Sequence, residues 1–79
     1  MQEIRFTRSA RRHRIGKASA RYVMDHAEPE QVHNEIYGTE TLVWRGPDER
    51  DRELEITAVI MPDCLLVIHV FPTHLREVR

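Results

Sequence analysis

Residues 65–71 read Leu-Leu-Val-Ile-His-Val-Phe, apolar on both faces of any strand they form except at His69. Successive side chains of a strand point to opposite faces, so such a strand needs a neighbour at each edge and cover on both sides. It predicts the centre of a sheet. The preceding segment, 52–61, alternates instead: Leu54, Ile56, Ala58 and Ile60 share one face, and Glu53, Glu55, Thr57 and Val59 the other. That is the pattern of a half-buried strand. Pro62-Asp63 is a tight connection, so the two strands should be antiparallel neighbours. Pro72 stops the second.

A chain of 79 residues holds one domain, 1–79, with a small core. Residues 3–7 alternate around Ile4 and Phe6, a short strand with one buried face. Thr7 offers its hydroxyl as the N-cap of a very basic helix over 8–15, and Gly16 fits that helix's left-handed C-cap. A second helix starts near Lys17 or Ala18. Its apolar stripe is Ala20, Val23, Met24 and Ala27, and Pro29 ends it. Residues 31–40 are polar and carry no clear period. Residues 41–45 are β-branched and aromatic, a strand, and 46–51 form a polar loop. The order is β-α-α-β-β-β. It predicts an α+β domain with two N-terminal helices on one face of an antiparallel sheet of about four strands. The other face is left open for a site.

The net charge of −1 hides an asymmetry. Residues 1–27 hold seven bases and two acids, which is +5; the remainder holds five bases and eleven acids, which is −6. The basic start suits a polyanion or an acidic partner. One cysteine, Cys64, excludes an internal disulfide and argues against a zinc cage. The five histidines include no pair at helical metal-site spacing, so neither a metal nor another cofactor is expected. No apolar run is long enough to span a bilayer and no apolar leader opens the chain, so the expectation is a cytoplasmic protein without membrane contact.

Two stretches carry a resemblance. Residues 6–15, Phe-Thr-Arg-Ser-Ala-Arg-Arg-His-Arg-Ile, resemble the strand, Ser/Thr and His/Arg-rich segment that opens small BrnT-like proteins. Residues 54–59 with 66–76, ending His69-Val-Phe-Pro72-Thr73-His-Leu-Arg76, resemble the paired final strands of small toxin-like proteins. Together with the element order, these make the chain similar to RelE/ParE-type toxins of the compact BrnT-like branch. The resemblance implies the toxin of a type II toxin–antitoxin system. Such toxins are mostly endoribonucleases that cut messenger RNA, often on the ribosome, and are covered by a cognate antitoxin. The alternative is a binding protein without chemistry, or an inactive toxin homologue, whose basic segment docks on nucleic acid or a protein.

Metal-free RNA cleavage needs a base for the 2′-hydroxyl proton, a cation for the phosphorane and an acid for the leaving oxygen. His69 lies in an apolar strand and, by alternation, faces with Leu65, Val67 and Phe71. Glu55, on the polar side of the neighbouring strand, would orient it as a base. Arg45 or Arg52 would clamp a phosphate. Arg8, Arg11, Arg12 and His13 form a patch that tracks an RNA backbone, with Arg76 a further contact at the end of the last strand. Leu42, Trp44 and the two-sided apolar strand exceed what two short helices cover, so a homodimer or the antitoxin would bury the rest.

Overall fold

The computed structural model describes residues 3–11 and 13–73. Five strands and one α-helix follow in the order β1 (Glu3–Phe6), α1 (Lys17–His26), β2 (Glu30–Asn34), β3 (Thr39–Pro47), β4 (Glu53–Ile60) and β5 (Cys64–Pro72), with a single 3-10 turn at Ser9–Arg11 after β1. The strands form one mixed sheet, ordered β1-β5-β4-β3-β2. β5 lies inside it, antiparallel to β4 and parallel to β1. The fold is α+β, but the expected two helices on an antiparallel sheet of about four strands are corrected to one helix and a five-stranded mixed sheet.

The described residues of 8–15 do not form the first helix. Thr7 Oγ1 accepts from the Ala10 amide at 3.2 Å, so its capping role is met by the 3-10 turn alone. Arg14 then takes the left-handed conformation (φ 60°), and Gly16 is extended (φ −67°, ψ 154°) as the N-cap residue of α1. The turn is pinned to β5: the Thr7 amide donates to the Val67 carbonyl at 3.0 Å, and Ser9 Oγ to the Ile68 carbonyl at 3.2 Å. It thus runs along the part of β5 that lies beyond its pairing with β1.

α1 lays Ala20 and Val23 on the sheet, where they meet Trp44, Leu54, Ile56, Ala58, Val67 and Val70. Its stripe is the one the spacing predicts. The unreadable stretch contains β2, an edge strand whose only large apolar side chain is Val32. Asn34 ends it: its Oδ1 accepts from the Ile36 and Tyr37 amides at 3.0 and 3.1 Å, and Gly38 supplies the positive φ (66°) that closes the turn. Gly46 and Pro47 belong to β3 rather than to the loop after it.

β4 follows its alternation, with Leu54, Ile56 and Ala58 fully buried under α1. β5 breaks its own. Thr57 pairs with His69 but the next residue, Ala58, pairs with Val67, so Ile68 is an extra residue in the strand. Such a bulge shifts everything beyond it to the opposite face. Leu65 and Val67 face α1, while His69 and Phe71 face away from it.

Candidate functional site

The face of the sheet away from α1 collects the chemistry. Arg45 on β3 is directly opposite Glu55 on β4, which is directly opposite Phe71 on β5; His69 stands two pairs along, opposite Thr57 and so on the same face. Glu55 is only 5% exposed. A buried carboxylate must be paired or hydrogen-bonded to stay charged. Arg45 supplies this through Nε at 3.1 Å and Nη2 at 3.0 Å, both on Oε2. The other oxygen, Oε1, lies 3.7 Å from His69 Nε2. Glu55 therefore joins a guanidinium to an imidazole. The three residues singled out as a base, its orienter and a phosphate clamp are brought together, and the Ile68 bulge is what turns His69 to this face.

Arg45 carries a second partner that sequence reasoning missed. Its Nη1 donates to Glu30 Oε1 on β2 at 3.3 Å, an exposed contact. Glu30 belongs to the strand with no legible period, so nothing in the sequence placed it here. Phe71 was also passed over as a site residue, although its two-residue spacing from His69 put both on one face. The His69 ring stacks on Phe71 at 5.4 Å between centroids, and the His13 ring meets Phe71 edge-on at 4.9 Å.

Other candidates sit elsewhere. Arg52 stands apart from this face: its guanidinium binds Asp48 Oδ2 at 2.7 Å and reaches Ser19 of α1 at 3.4 Å, on the helix side of the sheet. Asp48 is buried, which explains the pairing. Arg8 and Arg11 are exposed around the 3-10 turn, without the shared helical face expected of them. Arg12 and Arg76 lie outside the described residues. Among the described residues, no group of three or more His, Cys, Asp or Glu side chains is placed to hold a metal ion. No helix among them is long and apolar enough to cross a membrane.

The Glu30 contact yields a prediction. An exposed ion pair is worth about 0–1 kcal/mol, and a nucleic-acid phosphate docking on Arg45 would compete with Glu30 for its outer edge. Glu30→Gln should therefore tighten binding of a non-cleavable 2′-deoxy oligonucleotide about two- to fivefold by fluorescence anisotropy. Glu35→Gln, the same charge change in the β2–β3 turn, is the control. Equal gains in both variants would assign the effect to net charge rather than to Arg45.

Comparison of the chain with protein families, with curated proteins and with solved structures finds no match.

Proposed function

We propose that this protein is a metal-independent endoribonuclease of the toxin kind, cutting messenger RNA and neutralised by a cognate antitoxin. The observation that carries the reading is the convergence of Arg45, Glu55 and His69 on one face of the sheet. The resemblance of the opening and closing segments to BrnT-like toxins agrees with it. In this reading His69 accepts the 2′-hydroxyl proton, and the Glu55 carboxylate, 3.7 Å from its Nε2, stabilises the imidazolium that forms. Arg45 stabilises the charge that grows on the phosphorane oxygens, its guanidinium held in orientation by Glu55. Exposed Arg8 and Arg11 favour approach of a polyanion.

A second reading has its own observation. Nε, Nη1 and Nη2 of Arg45 all contact carboxylates already, which suits a structural ion pair beneath a non-catalytic nucleic-acid or protein-binding surface. One experiment separates the two. Purified protein is incubated with an unstructured RNA in EDTA, and its expression is induced in growing cells. The nuclease reading expects cleavage and growth arrest, both reduced at least about a hundredfold or abolished in His69→Ala and Arg45→Ala. RNA binding without cleavage supports the second reading. Cleavage undiminished in both variants would remove the site assigned above.

A further inference from the structure

The ribonuclease reading leaves one requirement without a residue: an acid that protonates the leaving 5′-oxygen. We propose that His13 is that acid, an inference that rests on the ribonuclease reading. His13 follows the 3-10 turn that Thr7 and Ser9 pin to β5. Its ring meets Phe71 edge-on, and His69 stacks against the same ring. The two imidazoles are thus no further apart than 4.9 and 5.4 Å laid end to end.

That upper limit leaves room for the reaction. The attacking and leaving oxygens of a phosphodiester lie roughly in line across phosphorus, about 3.5 Å apart. With one hydrogen bond of about 2.8 Å at each end, the base and acid atoms stand about 9 Å apart. Phe71, which both rings contact, is apolar and offers no atom that competes for the phosphate. Arg8, Arg11 and Arg14, all exposed, flank His13 in the chain and favour an anion beside it. The left-handed Arg14, an uncommon conformation for a residue with a β-carbon, redirects the chain just after His13.

The step balances. His69 takes the proton from the 2′-hydroxyl as its oxygen forms a bond to phosphorus. The bond from phosphorus to the 5′-oxygen breaks, and His13 gives that oxygen its proton. The products are a 2′,3′-cyclic phosphate and a 5′-hydroxyl, with His69 protonated and His13 neutral. Exchange with water resets both. His13 is a catalytic residue in this scheme, not a phosphate contact of the basic segment.

The test is a pair of substrates, RNA and the ribonucleoside 3′-(4-nitrophenyl phosphate) esters. Nitrophenolate leaves without a proton, so only RNA needs the acid. His13→Ala and His13→Gln should each slow RNA cleavage by about 10²–10⁴-fold and the esters by less than about tenfold. His69→Ala should slow both substrates to a similar degree. On RNA the parent should show a bell-shaped pH profile, and the fall on its alkaline side should vanish in both His13 variants. Equal losses on RNA and on the esters would overturn the role of His13 and leave the ribonuclease reading standing. A parent inactive on both substrates would remove the ribonuclease reading, and the acid with it.

Discussion

Glu55→Gln should, on the ribonuclease reading, slow RNA cleavage by about 10³–10⁴-fold, the range seen when an orienting carboxylate is lost from a histidine base. Among the described residues, Glu55 alone lies within ion-pair distance of both Arg45 and His69. The amide keeps the size of the side chain and an oxygen for Arg45. It removes the negative charge that lies 3.7 Å from His69 and pairs with the Arg45 guanidinium. Stability should change much less, by about 1 kcal/mol in either direction. A buried amide is cheaper to desolvate than a carboxylate, and Arg45, about half exposed, can turn to water. Single-turnover cleavage and thermal melting of the same preparation separate the two effects. Activity within tenfold of the parent would confine Glu55 to holding the sheet face together.

Asp48→Ala should cost about 2–4 kcal/mol of stability, a large share for a domain this small. The Asp48 side chain is fully buried. Oδ1 accepts from the Arg50 and Arg52 amides, both at 2.9 Å, and Oδ2 from Arg52 Nε at 2.8 Å. Alanine leaves those donors under-satisfied in the loop that joins β3 to β4. The midpoint of a thermal melt should fall by about 10–25 °C. Burial alone would raise the carboxyl pKa, but the Arg52 and Arg50 amides and the Arg52 guanidinium outweigh it and hold Asp48 below its ordinary 3.8. A pKa lower in the folded state means a contribution fully present above the unfolded value. It is lost as pH falls through the folded one. The acid limb of the stability profile, below about pH 4, should therefore be flatter in Asp48→Asn than in the parent. Superimposable limbs in urea melts across that range would assign the acid sensitivity to other carboxylates.

Legibility followed how much of each element is decided by its own residues. β4 and α1 were readable because a single buried face imposes its period on the sequence. The two-sided apolar run placed β5 inside the sheet for the same reason. β2 was not readable, because an edge strand with one large apolar side chain takes its conformation from β3. The basic segment misled: arginine suits a helix, but the backbone turns at Arg14 and the chain anchors on β5 instead. The grouping of Arg45, Glu55 and His69 was suggested by residue type and strand parity. The Ile68 bulge that makes the geometry carries no glycine or proline to announce it. Strict alternation kept His69 beside Leu65 and Val67, whereas the fold separates them. For Arg52 a pair with Asp48, Glu49 or Asp51 was readable as the alternative to a phosphate clamp, but the burial of Asp48 that favours it is set by tertiary structure.

The parallel pairing of β1 with β5 also sets an order of assembly. Every other pair of adjacent strands is consecutive in the chain and can form as a hairpin. Glu3, by contrast, meets Cys64, so this edge closes a loop of about sixty residues. During synthesis the first strand emerges first and waits longest, since its partner is made last. The segment carrying His13 waits with it, because it too is fastened to β5. On the ribonuclease reading, a nascent chain should therefore stay inactive until β5 has left the ribosome. In amide hydrogen exchange, this late-formed edge should open ahead of the β3–β4–β5 hairpins and protect the least.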